Sequence, residues 1–511
     1  MKFLYKILCA AVFLTCFAPG AHAQDILDGL RLTSNPLGTG ARSMAMGGAM
    51  TAAVNDYSAL DFNPAALTLV ESSEFSLSLY NKGYTSNAQF LGNASSGSIS
   101  NPALYSFAYA SNVPTVRGHL AFGISLDRVA DFTSTYKFSA VNPNSSFLNT
   151  KDFVNDPGYP GGGFTNYVKS LANNNIAWAF YLTNDFKDTI NPVLTTPFTG
   201  GLQQSGTVTQ EGGLNAFRIG GGVDVAENIS VGATVNIVFG SYDYRREYTE
   251  ADVNHLFSHT DSVLGPRNFT SATIIDNRSQ SITGIGLKLG FFSTPNDYLR
   301  FGLTVATPTY FSMDDHFSRD AVASFTTVAP FDSRDKSLYQ NLTEVISNSY
   351  SITTPAVFGG GLSFNHWGLT LAVSADYSDY TQLRFTNSDV DLSDLNDFAR
   401  NSLRSVFDYN FGAEYLIKPL GLLVRGGYSV RPSPFKGDPS EYDTKSWSTG
   451  IGLLLSKSAI IEASYRNTKF RTDHQLYYDL TAGANPTTVS AVVNQDDVKT
   501  DEIAISFSFR F

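Results

Sequence analysis

The chain has 511 residues, of which 42% are hydrophobic, 13% aromatic and only 16% charged, and its formal net charge is −11. A disordered chain would carry more charge and fewer aromatic residues. An acidic chain without a run of Lys or Arg offers no surface for nucleic acid.

The first 23 residues have the pattern of an export signal. A basic start is followed by an apolar stretch at residues 7–18 and an Ala-x-Ala cleavage site that ends at Ala23. The apolar stretch is shorter than the roughly 20 residues that a membrane-spanning helix needs. Cleavage would also remove both cysteines, Cys9 and Cys16, so we expect neither disulfides nor thiol chemistry in the mature chain.

Residues 24–72, called here the N-terminal segment, are rich in small residues and show no alternation. Glycines recur between Gly38 and Gly48, where they allow close packing and backbone conformations closed to other residues. Asn63 is placed to cap a short helix whose first residue is Pro64, which has no amide hydrogen to lose. The pattern predicts a compact plug.

From about residue 74 onward, apolar and polar residues alternate with period two, which predicts strands. The last strand shows this best, because every second residue is apolar: Ile503, Ile505, Phe507, Phe509 and Phe511. In a soluble sandwich such a face forms the core, whereas in a membrane barrel it meets lipid and the polar face lines the lumen. Alternation alone does not distinguish these two folds.

The lengths of the connections do distinguish them. Fourteen strands are predicted, with centres near residues 77, 107, 123, 220, 236, 287, 303, 360, 373, 411, 426, 451, 464 and 507. Short turns are predicted at residues 112–118, 227–228, 293–297, 365–367, 418–420 and 456–458. Long polar loops alternate with them at residues 82–102, 139–214, 249–280, 312–354, 386–404, 432–445 and 471–500.

An even strand number with short turns on one rim and long loops on the other is typical of outer-membrane barrels. We therefore predict an all-β fold in which residues 73–511 form a 14-stranded antiparallel transmembrane β-barrel. The expected location is the outer membrane of a Gram-negative bacterium, which the chain crosses many times. A barrel of this width needs filling, because eight strands already make a packed interior, and the N-terminal segment is the expected hatch inside the lumen.

At the hatch the chain resembles a known family. A leader, a Gly-rich stretch, the motif Asn63-Pro64-Ala65 and alternating strands that end at Phe511 are similar to the FadL/TodX-type outer-membrane transporters of hydrophobic compounds. The layout is shared over the whole mature chain, and the specific motifs lie mainly in residues 38–67. The resemblance implies passive, hatch-gated uptake of long-chain fatty acids or aromatic hydrocarbons.

The resemblance also implies lateral release through a gap beside an inward kink in the third strand. We expect this kink within residues 119–136, where four residues interrupt the strand pattern: Gly123, Asp127, Arg128 and Asp131. These residues are the candidates for a lateral opening.

An apolar stretch inside the second long loop is left out of the strand count, since its inclusion would place the C-terminus on the wrong rim. Its main residues are Ile176, Trp178, Phe180 and Tyr181. It could capture substrate outside the cell, or it could be a loop helix that packs on the barrel rim.

The candidate ligand contacts are Met44, Met46, Met50 and Phe62, whose adaptable side chains suit an alkyl chain. Packing inside the plug is the simpler reading for each methionine. Arg300 and Arg425 face the lumen and could hold a carboxylate headgroup. Pairing with acidic residues of the wall and plug is again the simpler reading, since buried charges require partners.

Two functions remain open from the sequence: uptake of hydrophobic molecules, and service as a partner-binding component of a secretion or outer-membrane assembly system. No metal-binding spacing, nucleophile elbow or phosphate loop is present in the sequence, so we expect neither enzyme activity nor a metal or cofactor. The expected partners are hydrophobic small molecules and outer-membrane lipid, without nucleic acid, and the expected state is a monomer.

Overall fold

The computed structural model describes residues 25–33, 38–149, 182, 198, 200–257, 269–325, 338–477 and 491–511. The α-helices in these ranges are α1 (Ile26–Thr33), α2 (Gly40–Ala45), α3 (Ala59–Phe62) and α4 (Ser393–Ser402). Short 3-10 helices lie at Pro64–Leu69, Phe147–Asn149, Tyr380–Gln382, Lys418–Leu420 and Ser440–Tyr442. No helix within the described ranges has the length and apolar character needed to span a bilayer. The predicted signal lies outside these ranges.

Eighteen strand segments of the described residues form one antiparallel sheet. They are β1 (Glu74–Phe90), β2 (Asn93–Val113), β3 (Leu120–Asp131), β4 (Ser134–Asn142), β5 (Leu202–Ala226), β6 (Ile229–Ala251), β7 (Phe269–Ser293), β8 (Leu299–Ala306), β9 (Tyr310–Phe325), β10 (Leu338–Thr353), β11 (Val357–His366), β12 (Leu369–Asp379), β13 (Arg384–Thr386), β14 (Ser405–Ile417), β15 (Leu422–Arg431), β16 (Thr444–Leu454), β17 (Ala459–Gln475) and β18 (Val492–Arg510).

Eight of these segments form four interrupted barrel strands, each made of two consecutive segments: β3 with β4, β8 with β9, β10 with β11, and β12 with β13. Both β3 and β4 pair with β5, and both β8 and β9 pair with β7. Likewise β11 pairs with β8 and β12, while β10 pairs with β9 and β13. Counting each interrupted strand once gives fourteen. The ring closes between β1 and β18, from Glu74 opposite Arg510 to Phe90 opposite Val493. The predicted 14-stranded antiparallel barrel is confirmed, and every predicted strand centre lies in one of these strands.

The two faces of each strand differ in side-chain size and polarity. On β1, Leu77 and Leu79 point outward and are exposed, while Ser76 and Ser78 point inward and are completely buried. The apolar outward face suits contact with hydrocarbon, whereas the polar inward face suits the interior of a barrel. Small inward side chains leave room for the N-terminal segment.

All six predicted short turns join consecutive strands at the rim where the chain also ends, since the Phe511 amide donates to the Ser73 carbonyl. The predicted long loops are too long, because the strands extend into them. Residues 82–102 form a hairpin in which β1 and β2 are joined only by Leu91 and Gly92, both with positive φ, as a tight two-residue turn requires. The other long loops lose residues to strands in the same way, and the 386–404 connection contains α4.

Candidate functional site

The Asn63-Pro64-Ala65 motif lies against the inside of the wall. Asn63 is completely buried, and its Oδ1 accepts from the Ala65 amide at 3.2 Å, which confirms the predicted helix cap. Its Nδ2 donates to the carbonyls of Thr51, within the segment, and Phe291, on β7, at 3.1 and 3.0 Å. One amide side chain therefore fastens the helix start to both the segment and the barrel.

Glycines on the wall make this close approach possible. A Cβ at Gly222 would lie 2.7 Å from the Pro64 carbonyl oxygen, and one at Gly290 would collide with Asn63 Oδ1. Two strands farther along the same side of the wall, a Cβ at Gly361 on β11 would lie 2.8 Å from Thr51 Cβ. Backbone and motif are therefore in direct contact, with no space for side chains between them.

An ionic cluster joins α2 to the opposite wall. Arg42 contacts Glu414 on β14 at 3.0 and 3.1 Å and Asp56 in the segment at 2.8 Å. Arg425 on β15 contacts the same Glu414 at 2.6 Å and Glu462 on β17 at 2.8 Å. Two cations thus share three carboxylates at a nearly water-free interface, where charge-assisted bonds are strong.

A second ionic cluster joins α3 to the third and fourth barrel strands. Arg218 on β5 contacts Asp61 of the segment at 2.7 Å and Asp127 on β3 at 2.5 Å. Ser106 Oγ donates to Asp127 at 2.6 Å, and Lys288 Nζ donates to the Asp61 carbonyl oxygen at 2.5 Å. Asp127, predicted as part of the lateral opening, is therefore a buried anchor between wall and segment.

Nearer the external end, α1 is held by one buried carboxylate. Asp28 is completely buried and contacts Arg31 and Arg278, each at 2.8 Å, while Tyr350 Oη donates to it at 2.9 Å. Arg278 also contacts Asp315 at 2.5 Å. This arrangement ties the beginning of the segment to β7, β9 and β10.

The three candidate methionines are core residues. Met44 is 1% exposed and packs with Tyr80 and Tyr105, while Met46 and Met50 are 0% exposed and pack among the alanines of the segment. Phe62 is half-buried at the edge of the same core. The structure shows these methionines as packing, so they meet a ligand only if the segment moves.

The two candidate arginines differ in their partners. Arg425 contacts two carboxylates, Glu414 through its ε nitrogen and Glu462 through one terminal nitrogen, and its second terminal nitrogen is buried without a hydrogen bond among the described residues. Arg300, near the short-turn end of β8, is half-buried and lies in the field of Arg42 and Glu414. Among the described residues it has neither an ion-pair nor a hydrogen-bond partner.

The backbone ladder between the second and third strands is incomplete, although β4 packs closely against β2 at Gly97 and Thr135. The β2–β3 ladder runs from Val113 opposite Leu120 only as far as Ser106 opposite Asp127. Beyond that rung β3 and β4 pair only with β5, and the register slips between Arg128 and Ala130. Within the described ranges no ladder joins β2 to β4. The interruption falls inside the predicted kink region of residues 119–136.

Asp131 bridges this gap with side chains. Its buried carboxylate accepts from Tyr80 Oη at 2.6 Å and from Asn101 Nδ2 at 3.0 Å, and it contacts Lys82 at 3.6 Å and Arg128 at 3.3 Å. Its partners on β1 and β2 therefore reach across to the end of β3. Gly123 lies below the gap, where a Cβ would be 3.1 Å from Leu60 of the segment.

An aromatic cluster closes the external end of the lumen. Most of its aromatic members lie in ranges that the sequence pattern assigned to loops, and Phe138 and Tyr248 lie one residue before such ranges; the full set is Phe90, Phe138, Phe147, Phe198, Tyr248, Phe269 and Tyr477. Phe198 and Phe269 have ring centroids 4.6 Å apart. The predicted capture stretch, Ile176 to Tyr181, lies outside the described residues, but the adjacent Leu182 is buried in this cluster.

Sequence reasoning missed Arg42 and Asp28, which carry the main charges of the segment. A charged side chain inside a stretch of small residues is a signal that could have found Arg42. No cluster of three or more His, Cys, Asp or Glu side chains suited to a metal occurs in the described part of the chain.

Known proteins share both the sequence pattern and the fold of this chain. A family model described as outer membrane protein transport protein (OMPP1/FadL/TodX) matches residues 33–511. The toluene transporter TodX of P. putida is similar in structure, with a TM-score of 0.54 and 14% identity over 93% of this chain and 99% of that one. A Pseudomonas aeruginosa FadL homologue gives 0.54 and 13% over 93% and 98%. No curated protein matches significantly in sequence.

Proposed function

The chain belongs to the OMPP1/FadL/TodX family of outer-membrane transporters of hydrophobic compounds, and on that premise we propose passive, hatch-gated uptake with lateral release between β2 and β3. The substrates are long-chain fatty acids or aromatic hydrocarbons. The N-terminal segment is the hatch, because its contacts with opposite walls block the axial path. The break in the β2–β3 ladder is the observation that carries the proposal.

A lateral route suits an apolar substrate on energetic grounds. Each apolar Å² removed from water contributes about 25 cal/mol, so a molecule that leaves through the wall enters lipid without crossing water. The external aromatic cluster supplies an apolar surface at the start of such a route. Transfer then follows the concentration gradient and needs no energy source.

Asp131 is the latch of this exit. Its bonds to Tyr80 and Asn101 are the polar contacts that join β1 and β2 to β3 above the last backbone rung. Lys82 Nζ also donates to the Asp131 carbonyl oxygen at 2.8 Å. Their release would let the end of β3 separate from β2 while the Asp127 anchor below stays in place.

A disulfide across the gap tests the route. A Cβ at Gly97 on β2 would lie 3.4 Å from Thr135 Cγ2 on β4, which is close enough for a disulfide after small adjustments. The double substitution Gly97→Cys and Thr135→Cys should therefore stop uptake of radiolabelled oleate and toluene in whole cells. Reducing agent should restore it.

The control places the same bond in an intact ladder. Ser446 and Thr468 are opposite each other on β16 and β17, with their hydroxyls 2.8 Å apart. Cysteines at these two positions should leave uptake unchanged. If the oxidised gap disulfide forms fully and uptake continues at the parental rate, the lateral route is wrong.

Arg300 provides a test of substrate class. It lies closer to the short-turn rim than the hatch motif and makes no hydrogen bond or ion pair with the described residues, so it would meet a carboxylate only on an axial route past the hatch. We expect Arg300→Gln to leave toluene uptake unchanged. A loss of oleate uptake with unchanged uptake of its methyl ester would show that carboxylates take the axial path.

A further inference from the structure

Three lysines form a row on the outer surface of the barrel, across the last three strands β16, β17 and β18. Lys445 on β16 is directly opposite Lys469 on β17, and Lys469 is directly opposite Lys499 on β18. All three side chains point away from the lumen. Opposite residues in an antiparallel ladder have Cα atoms about 4.5–5.5 Å apart, so the three ammonium groups can converge on one small area.

The row has too few acidic partners to balance it. Lys499 contacts Asp497 at 2.8 Å, and Lys445 donates to the Ser440 carbonyl oxygen at 3.4 Å. Lys469 makes no hydrogen bond or close ion pair with the described residues, and its charge acts on the same Asp497 that Lys499 contacts. The nearby Asp501 is occupied by Tyr465. Like charges directly opposite each other destabilise a ladder, and an anion from outside the protein would reverse that penalty.

The height of the row on the wall identifies the anion. Directly below Lys445 the outward face continues with Trp447, which is 48% exposed, and then with Ile451 and Leu453. On β18 the apolar face begins at Ile503. Tryptophan at the edge of an apolar band marks the membrane interface, so the lysines lie at the level of the lipid headgroups on the external side.

Other parts of the same outer level have the opposite charge. Glu211, Asp243 and Glu247 on β5 and β6 and Asp314 on β9 point outward, and Arg245 is the basic residue among them. The basic row is therefore a local feature of β16–β18 and not a general property of the rim.

We propose that Lys445, Lys469 and Lys499 bind the phosphate groups of outer-leaflet lipid A. Phosphate accepts several charge-assisted hydrogen bonds, and long lysine side chains can reach along the apolar wall to meet it. The site holds a charged lipid beside the seam of the barrel, where β18 pairs with β1. It is separate from the transport path and does not depend on the transported substrate.

Binding of purified lipid A to the purified full-length protein, measured by native mass spectrometry, tests the proposal. Each lysine near an anionic headgroup should contribute about fivefold to affinity, so K445Q/K469Q/K499Q together should weaken binding roughly a hundredfold. The corresponding triple arginine variant should bind like the parent. Heat-modifiable electrophoretic mobility confirms that each barrel is folded.

Lys457→Gln is the matched control, because Lys457 is an exposed lysine in the β16–β17 turn at the opposite rim. It should leave lipid A binding unchanged, and lipid A without phosphates should bind weakly to the parent. Parental affinity in the triple glutamine variant, or equal binding of dephosphorylated lipid A, would overturn the proposal. Equal competition by inorganic phosphate would overturn it too, by revealing a free-phosphate site.

Discussion

Substitution of Arg42 by alanine should unlock the hatch. Arg42 makes a two-point contact with Glu414 and a further contact with Asp56, and its side chain is only 14% exposed. Its removal takes away the arginine that contacts Asp56, while Glu414 and Glu462 keep their contacts with Arg425. Loss of one partner from a buried ionic group costs about 3–5 kcal/mol, and the small residual exposure favours the lower end.

A change of about 3 kcal/mol corresponds to roughly a hundredfold in an equilibrium constant. The fraction of molecules with a displaced hatch should rise by this factor. The assay is ionic conductance of the purified protein in planar bilayers, where a displaced hatch appears as brief openings. Cells that express the variant should also become sensitive to large hydrophilic antibiotics.

The control is Arg245→Gln, which removes an ion pair with Glu247 at 3.4 Å. Both side chains are more than half exposed, and exposed pairs contribute only about 0–1 kcal/mol. Its conductance should match that of the parent. If Arg42→Ala shows parental conductance while the barrel remains folded, the ionic cluster does not hold the hatch and the reasoning fails.

Three further predictions concern the same interface. Gly290→Ala should destabilise the folded protein by about 1–3 kcal/mol, because its methyl group would clash with the hatch. Gly360→Ala is the control and should not destabilise the protein, since its Cβ would lie 3.7 Å from the nearest atom. Thermal denaturation of the two variants measures the difference. Burial raises the pKa of Asp56, but Arg42 and Ser58 lower it more, so it lies below its usual value. A lowered pKa stabilises the folded state above the unfolded pKa of about 3.9. Conductance should therefore stay constant from about pH 8 to 5 and rise only below about pH 4; a rise near neutral pH would contradict this. Asp28→Asn should accelerate hydrogen exchange in α1 at least about tenfold without changing barrel melting, and unchanged exchange would show that Asp28 is not the anchor.

The membrane-embedded part of the fold was predictable because lipid imposes a pattern on it. Leu77 and Leu79 must be apolar, so alternation is visible there. Farther out, β1 continues with Asn87 and Gln89 on its outward face, where water replaces lipid. Both faces are then free to be polar, and the sequence no longer separates a strand from a loop.

The candidate site was predictable only where the signal is local. The Asn63 cap depends on residues two positions away, so the sequence contains all of it. The Asp61–Arg218 contact joins residues 157 positions apart, and no spacing rule links them. The interruption of the third strand lay within the predicted region, but its latch required knowledge of which side chains on β1 and β2 face Asp131.

The contacts of α2 also couple the hatch to the closing end of the ring. The Ala41 amide donates to Ser506 on the last strand, and Ser448 on β16 donates to the Ala45 carbonyl oxygen. Residues near the start of the chain are thus bonded to the strands that are made last. These bonds exist only when both the hatch and the last strands are in place, so each stabilises the other during assembly of the barrel.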